Sequence, residues 1–325
     1  MTGFPEKKTV YAIVGQTAVG KTRAGFELAA DIGAEIVSVD SRQVYRYLDV
    51  GTDKISREAR KIVPHHLIDT ADPDEVFTAA DFVGRAESAI ARISSRGRIP
   101  LLVGGTPLYY RALEGRMLSE SMPKDPDIRK ELEASAESYG TASLHGRLAE
   151  VDPLSAARIH KNDKVRLVRA LELYSLTGRS ATELYMKNRK LGASVEILYF
   201  GIDSPRALLY ERIERRVAEQ FHAGYPEEVK WLLDNGYSRD LPALQGFGYK
   251  ELVLYLDGRI TFDEAMQGDV KATKAFARRQ TSWFKHFYPI IWYNITHNSI
   301  ESAVNDMKKT ISEKNFKLKA EPGPA

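Results

Sequence analysis

A glycine-rich stretch near the start of the sequence, GQTAVGKT at residues 15–22, has the spacing of a phosphate-binding loop. Gly15, Gly20, Lys21 and Thr22 occupy the positions that the template G-x-x-x-x-G-K-[ST] requires. In such a loop backbone N–H groups point at phosphate oxygens, the lysine adds positive charge, and the threonine hydroxyl is placed for Mg²⁺. The loop alone does not identify its ligand. A nucleoside triphosphate would indicate a kinase or ATPase, and a diphosphate that leaves in one piece would indicate another class of transferase.

Two further polar segments follow apolar runs that predict strands. Asp40 ends the run EIVSVD, and Gly104, Gly105 and Thr106 end the run IPLLVGGT. The carboxyl ends of strands in a parallel sheet face the ligand crevice, so Asp40 could orient Mg²⁺, act as a general base, or cap the following helix. An ending in Gly-Gly-Thr lacks the carboxylate that an ATPase usually carries there, which disfavours that class.

The elements that must position these residues have the rhythm of a parallel α/β sheet. Six short apolar runs predict strands, at residues 9–15, 35–40, 65–69, 99–106, 195–203 and 290–297. Residues 121–192 show only helical periodicity and turns. We therefore predict an α/β fold with a P-loop NTPase-like parallel sheet core (1–120 and 193–312), a helical insertion domain (121–192), additional C-terminal helices, and a disordered tail (313–325).

Composition narrows the possible classes of function. The 325 residues include no cysteine, which excludes disulfides, thiolate metal sites and cysteine nucleophiles. No apolar stretch of membrane-spanning length and no signal-peptide pattern are present, which predicts a cytoplasmic protein with no membrane partner. The net charge is only +3, but residues 156–190 hold nine Lys or Arg against three acids, and residues 271–285 hold five and no acid. These segments either meet a polyanion or are solvated helix faces.

These segments, in this order, resemble the tRNA dimethylallyltransferase family. The matching stretches are GQTAVGKT, SVDSRQVYRYLDVGTDK, HHLID, LLVGGTPLYYRAL, NDKVRLVRALE, QGFGYKEL and ATKAFARRQTSWFK. Gln16 stands where the family often has proline, and RRQTSWF differs slightly from the usual run. A chain without cysteine cannot carry the zinc finger of eukaryotic relatives, so it looks like the bacterial type.

The resemblance implies a reaction that consumes no ATP, although the loop motif by itself would label the chain as ATP-binding. A dimethylallyl group would pass from dimethylallyl diphosphate to N6 of the adenosine on the 3′ side of the anticodon, position 37 of the tRNA. Asp40 would be the general base and Thr106 would donate to the bridging oxygen of the leaving group. Arg216 would clamp the diphosphate, and Mg²⁺ would be the cofactor, bound beside Thr22.

The resemblance also implies two sets of contacts, with a monomeric protein and the tRNA anticodon stem-loop as its partner. The diphosphate would be held by Gly15, Thr17, Ala18, Val19, Gly20, Lys21, Thr22 and Arg216. The tRNA would be held by Asp40, Ser41, Arg42, Gln43, Thr106, Arg129, Val165, Arg166, Arg169, Gly248, Tyr249 and Lys250.

Alternatives remain at several positions and for the function. Arg169 could pair with Glu172 at helical spacing. Several residues fit core packing as well as RNA contact: Phe247, Arg278, Arg279, Gln280 and Trp283. Hydrogen bonding in a turn or the core suits His65 and His66 better than catalysis. The rival functions are dimethylallyl transfer to a free adenine nucleotide, a P-loop small-molecule kinase, and a non-catalytic RNA-binding protein.

Overall fold

Six strands form one sheet in which every pair of neighbours is parallel, in the order β3-β2-β4-β1-β5-β6. The structure is a computed structural model that describes residues 8–115, 122–191, 195–296 and 299–320. The strands are β1 (Lys8–Gly15), β2 (Glu35–Ser38), β3 (His65–His66), β4 (Pro100–Val103), β5 (Val195–Asp203) and β6 (Ile290–Asn294). Each of the six predicted runs contains one strand, and the α/β prediction is confirmed.

The strand at 65–69 is shorter than predicted. Leu67 has φ 64° and Asp69 has φ 55°, so the chain leaves the extended conformation directly after His66. Asp69 then forms ion pairs with Lys54 and Arg60, both at 2.7 Å. These ion pairs hold residues 67–69 against the loop that follows β2. That loop contains the candidate site residues Asp40 and Gln43.

Helices follow or separate the strands, as the periodicity predicts. The first seven are α1 (Lys21–Ile32), α2 (Arg57–Ile62), α3 (Ala79–Ser95), α4 (Pro107–Leu113), α5 (Pro126–Tyr139), α6 (Thr141–Val151) and α7 (Pro153–Arg158). They continue with α8 (Lys164–Thr177), α9 (Ala181–Leu191), α10 (Arg206–His222), α11 (Tyr225–Asp234), α12 (Tyr249–Leu256), α13 (Phe262–Phe284) and α14 (Ile300–Ala320).

The central strands are buried because helices cover the sheet. Val10, Ala12, Ile13 and Val14 of β1 have no exposed surface. A continuous apolar run is what a parallel strand covered on both faces requires. Because β2 and β4 are buried throughout, polar residues placed after them reach solvent at one edge of the sheet.

The chain forms two compact units, which we name the core unit (Met1–Tyr110 and Val195–Ala325) and the helical unit (Arg111–Ser194). The core unit contains the sheet. The described part of the helical unit contains no strand and packs around buried leucines of α6 and α8, including Leu144, Leu148 and Leu167. The predicted insertion, residues 121–192, lies within the helical unit.

The last helix extends beyond the predicted boundary of the core. α14 continues to Ala320, through part of the segment that was expected to be a disordered tail from residue 313 onward. Residues 321–325 lie outside the described residues. Among the described helices, none combines the length and the apolar character needed to cross a bilayer.

Candidate active site

A cavity of about 410 Å³ lies at the carboxyl edge of the sheet and is lined by the segments that follow β1, β2 and β4. The phosphate loop follows β1, Asp40 follows β2, the Gly-Gly-Thr segment follows β4, and Asp203 ends β5. A parallel sheet places these ends side by side, which is why residues far apart in the sequence share one cavity. All of its lining residues belong to the core unit.

The phosphate loop has the backbone that its glycines permit. Gly15 has φ 149°, and a Cβ atom there would lie 2.4 Å from the carbonyl oxygen of Ile202 on β5. Gly20 has φ 100° and immediately precedes α1, so the loop leads directly into the positive end of that helix. Loop residues that line the cavity are Thr17, Ala18, Gly20, Lys21 and Thr22. Gly15 and Val19 are not among the lining residues, and Val19 is fully buried.

Lys21 is the positive charge at the base of the cavity. Its Nζ donates a hydrogen bond to the carbonyl oxygen of Gln16 at 2.6 Å. Burial lowers the pKa of Lys21 to about 8, and the nearby Arg216 guanidinium adds to this effect. An anion placed against the ammonium group would favour its charged form. The cavity is therefore electrostatically prepared for an anionic ligand.

Arg216 reaches the same loop from α10. Its Nη2 donates to the hydroxyl oxygen of Thr17 at 2.9 Å, and its Nη1 lies 3.6 Å from Asp53. Arg212 and Arg215, on the same helix, also line the cavity. Three arginines therefore face a lysine and a helix N-terminus, an arrangement that favours phosphate groups.

The side chains of two glutamines, Gln280 on α13 and Gln16 within the loop, fix the phosphate loop by hydrogen bonds. Gln280 on α13 is 2% exposed, and its Oε1 accepts a hydrogen bond from the Thr17 N–H at 2.8 Å. Gln16 donates to Asp203 at 2.9 Å and to the Thr281 hydroxyl at 3.1 Å. The N–H of Thr17 is thus already used, so Thr17 offers a ligand its hydroxyl side and not its amide. Of the two readings for Gln280, packing in the core is the one observed.

Of the three roles open to Asp40, the structure shows a cap, although of a turn and not of a helix. One carboxylate oxygen, Oδ1, accepts hydrogen bonds from the backbone N–H of Arg42 at 2.8 Å and of Gln43 at 3.2 Å. No described residue donates a hydrogen bond to Oδ2. Asp40 also lines the cavity, so the turn that it caps holds its carboxylate on the cavity wall. A carboxylate fixed in this way can accept a proton from a bound ligand.

The segment after β4 packs tightly against the end of β2. A Cβ atom on Gly104 would lie 2.1 Å from the carbonyl oxygen of Val39, so only glycine allows this approach. Gly104 and Gly105 line the cavity, and Thr106 follows them. The Thr106 hydroxyl oxygen accepts a hydrogen bond from the Ser41 N–H at 3.2 Å, which leaves the hydroxyl proton available to a ligand.

The remaining residues of the SVDSRQVYRYLDVGTDK segment fold around a buried lysine. The side chain of Lys54 is 2% exposed and bonds to Asp49, to Asp69 and to the Tyr45 carbonyl oxygen. Gln43 lines the cavity, and its Nε2 donates to the Thr52 carbonyl oxygen at 3.1 Å. Lys54 was not anticipated as a structural residue, although it ends the segment quoted for the resemblance.

Glu228 was also not anticipated. This partly buried carboxylate accepts backbone N–H groups of Asp49, Val50 and Gly51 at 2.7, 2.6 and 3.2 Å. Burial raises the pKa of Glu228, against the opposing effect of these hydrogen bonds. Its position on α11, remote in sequence from residues 49–51, left no local signal of this role.

Of the three residues predicted to contact tRNA around α12, Lys250 alone is exposed, and their contact with RNA stays a prediction. Tyr249 is 1% exposed and its hydroxyl donates to Glu228 at 2.7 Å, so its ring offers no stacking surface. Gly248 is buried as well, and Lys250 is exposed. Arg42 donates to the carbonyl oxygens of Pro242 and Ala243, which ties the same segment to the cavity wall. Tyr249 and Arg42 therefore hold residues 242–249 in position.

In the helical unit, two predicted RNA-binding arginines share one carboxylate. Glu172 is 0% exposed, and its Oε2 lies 2.8 Å from Arg129 Nη2 and 2.6 Å from Arg169 Nη1. Its Oε1 accepts the Asp125 N–H at 3.1 Å. The pairing of Arg169 with Glu172 that helical spacing allowed is the one observed. These hydrogen bonds from Arg169 and Arg129 keep the pKa of the Glu172 carboxyl low even though burial opposes it.

Val165 and Arg166, by contrast, point into solvent. Val165 is 79% exposed, and Arg166 is exposed with only a 3.4 Å contact to Asp163. Their contact with RNA stays a prediction.

The cavity fits Mg²⁺ only together with a phosphate ligand. Among the described residues, no group of three or more His, Asp or Glu side chains could hold a metal ion. Thr22 supplies one hydroxyl oxygen at the N-terminus of α1. Mg²⁺ commonly takes most of its ligands from phosphates and water, so this sparse protein contribution is compatible with it.

These features define the class of protein: an α/β protein with a P-loop NTPase-like core and an anion-binding cavity at its strand ends. Residues 43–287 match the family "IPP transferase". The tRNA dimethylallyltransferase of Halalkalibacterium halodurans is 40% identical over 308 residues, covering 95% of this chain and 98% of that protein. The tRNA dimethylallyltransferase of Geobacter metallireducens is 47% identical over 302 residues, covering 92% and 97%. The chain therefore belongs to the IPP transferase family of tRNA dimethylallyltransferases.

Solved structures agree with this assignment. The full-length tRNA isopentenylpyrophosphate transferase of Bacillus halodurans matches with a TM-score of 0.71 and 39% identity, covering 97% of this chain and 100% of that one. A eukaryotic dimethylallyltransferase acting on tRNA matches with a TM-score of 0.81 and 26% identity, covering 94% and 80%. The predicted family and its fold are confirmed.

Proposed function

We propose that this protein transfers a dimethylallyl group from dimethylallyl diphosphate to N6 of adenosine 37 in tRNA, with Mg²⁺ and without ATP. The observation that carries the proposal is the joint lining of one cavity by the phosphate loop with Lys21, by Arg216, and by the Asp40 carboxylate. An anion site and a potential base share that cavity, as a transfer from a diphosphate to a nucleophile requires.

At the donor end, the diphosphate would lie on the phosphate loop. Backbone N–H groups at the start of α1, Lys21 and Arg216 would stabilise the charge that builds up as the allylic C–O bond breaks. Thr106, whose hydroxyl proton is available, would donate to the bridging oxygen. Thr22 would be the protein ligand of Mg²⁺, which would supply further positive charge for the leaving diphosphate.

At the acceptor end, Asp40 would take the proton from N6. The nitrogen lone pair forms the new N–C bond, the electrons of the C–O bond leave with the diphosphate, and the N6 proton passes to Asp40. Gln43, held by the Thr52 carbonyl oxygen, would read the adenine edge through its amide. The adenosine would have to leave its stack to reach this cavity.

The tRNA would be held by exposed cations. We assign this role to Arg166, with Val165 beside it, and to Lys250. Arg129 and Arg169 would act chiefly through their pairing with Glu172 and only in part as cations toward RNA. A monomeric state, which the resemblance implies, and a cytoplasmic location belong to the same proposal.

The experiment combines the protein with unmodified tRNA that has adenosine at position 37, Mg²⁺ and dimethylallyl diphosphate, and omits ATP. After digestion, mass spectrometry should detect N6-dimethylallyladenosine, and a matched tRNA with guanosine 37 should yield none. Product from a free adenine nucleotide but not from tRNA would assign the small-acceptor reaction instead. ATP turnover without any prenylated product would assign a kinase.

A further inference from the structure

Gln280 lies where the phosphate loop meets the Gly-Gly-Thr segment. It belongs to α13, and both ends of its buried amide bond to main-chain groups of different loops. Its Oε1 accepts the Thr17 N–H at 2.8 Å, and its Nε2 donates to the Gly105 carbonyl oxygen at 2.6 Å. One side chain therefore joins the end of β1 to the end of β4.

The hydrogen bonds continue on both sides of this amide. On the donor side, the Thr17 hydroxyl accepts from Arg216 at 2.9 Å. On the acceptor side, Thr106 follows Gly105 and accepts the Ser41 N–H at 3.2 Å, directly beside Asp40. The residues proposed to hold the diphosphate and the residue proposed to take the proton are thus connected through Gln280.

We infer that Gln280 is a positioning residue that fixes the distance between the phosphate loop and the Asp40 segment. The inference rests on the proposed function, because that distance decides whether N6 can meet the allylic carbon. A misplacement of about 1 Å between reacting groups costs on the order of 100-fold in rate. Glutamate lacks the donor for Gly105 and asparagine is one methylene shorter, so neither side chain can replace both bonds.

The test compares Gln280→Met with the unaltered protein. Methionine has a similar length and no branch, so it fills the space without making either hydrogen bond. We expect the Kd values for inorganic diphosphate with Mg²⁺ and for tRNA to change less than about 3-fold, while the single-turnover rate with both substrates saturating falls on the order of 10- to 100-fold. This split between binding and rate is what distinguishes positioning from simple loss of structure.

Thr273→Val is the matched control, since Thr273 is a buried residue of α13 whose hydroxyl donates to Asp269 at 2.9 Å and touches neither loop. Its single-turnover rate should stay within about 3-fold of the unaltered protein. If Gln280→Met fails to fold, Gly105→Ala approaches the contact from the other side, because its Cβ would lie 2.4 Å from Gln280 Nε2. That variant should show the same split.

Three outcomes would overturn the inference. The first is an undiminished rate at saturation in Gln280→Met, or in Gly105→Ala where that variant is used. The second is a loss confined to diphosphate affinity, which would assign Gln280 to the shape of the loop alone. The third is an equal rate loss in Thr273→Val. Absence of prenylated tRNA from the unaltered protein would overturn the proposed function itself, and this inference with it.

Discussion

Lys21 and Asp40, the two ionisable residues on which the proposed reaction depends, are each held by main-chain groups. Lys21 donates to the Gln16 carbonyl oxygen, and Asp40 accepts two backbone N–H groups. A charge held by the backbone keeps its position when the ligand leaves, so little reorganisation is needed when substrate binds. Both residues can therefore be tested by substitutions that keep their shape.

We expect Asp40→Asn to lower kcat by a factor of about 10² to 10⁴, the usual worth of a general base, with the Kd for tRNA changed less than about 3-fold. The asparagine oxygen can still accept the Arg42 and Gln43 N–H groups, so the turn should survive. Single-turnover prenylation and tRNA binding measure the two effects. Turnover close to that of the unaltered protein would show that another group takes the proton.

The lowered pKa of Lys21 predicts a pH dependence for the donor substrate. Since this pKa is about 8, the ammonium group loses its proton as pH rises through that value, and kcat/KM for dimethylallyl diphosphate should fall above it. Lys21→Arg, whose guanidinium stays protonated, should lack this fall although its absolute rate is lower. Profiles of kcat/KM between about pH 7 and 9.5 test this. A fall in both proteins at the same pH would assign the titration elsewhere.

At the scale of elements, buried and partly buried polar residues on helices connect segments that are distant in the sequence. α13 carries Gln280 beneath the phosphate loop, α11 carries Glu228 beneath residues 49–51, and α8 carries Glu172 beneath α5. The oxygens of each side chain accept hydrogen bonds from donors that would otherwise lack a partner within the protein. Removing one partner therefore costs more than the hydrogen bond itself is worth.

We expect Glu172→Gln to destabilise the protein by about 2 kcal/mol, because Arg129 and Arg169 lose their shared carboxylate while both stay partly solvated. Glu133→Gln removes the same charge from an exposed position on α5 and should stay within about 0.5 kcal/mol. Denaturant unfolding of the full chain measures both variants.

The same residue predicts a pH dependence. Since the folded state lowers the pKa of Glu172, its contribution to the free energy of unfolding is present at neutral pH and is lost as pH falls through that lowered value. Equal stability of the two variants would contradict this role of Glu172.

At the scale of the whole molecule, charge is nearly balanced and only its distribution favours a polyanion. The net charge is +3, and in the helical unit Arg129, Lys164 and Arg169 are engaged with acids. Affinity for RNA should therefore depend on where weakly paired, exposed cations lie and not on the total charge. Arg166 is such a cation, whereas Arg169 is held against Glu172.

We expect Arg166→Ala to weaken tRNA binding and to reduce the slope of log Kd against log salt concentration by about 1. Arg147→Ala removes the same charge from an exposed position on α6 and should change neither quantity. Binding titrations over a range of salt concentrations provide the comparison. Identical effects of the two substitutions would show that general charge, and not this position, governs binding.

The six strands, the phosphate loop and the family are predictable from the sequence alone. Apolar runs between helical patterns predict the six strands, and the loop template depends on residues only a few positions apart. Such short-range patterns are legible because burial and backbone geometry act on neighbouring residues. Asp40 and Gly104 could be assigned to the ligand edge for the same reason, since each lies within two residues of a strand end.

The partners of the long polar side chains, by contrast, depend on the tertiary structure. Arg169, Arg42 and Tyr249 carry groups suited to RNA, yet in the structure they bond to Glu172, to backbone carbonyl oxygens and to Glu228. Gln280 lies 263 residues from Thr17, and no local pattern relates the two. Whether such a side chain faces a ligand or satisfies a buried backbone group depends on which elements pack against it. That packing is a property of the whole fold, because the hydrogen-bond partners come together only when the sheet and its helices are assembled.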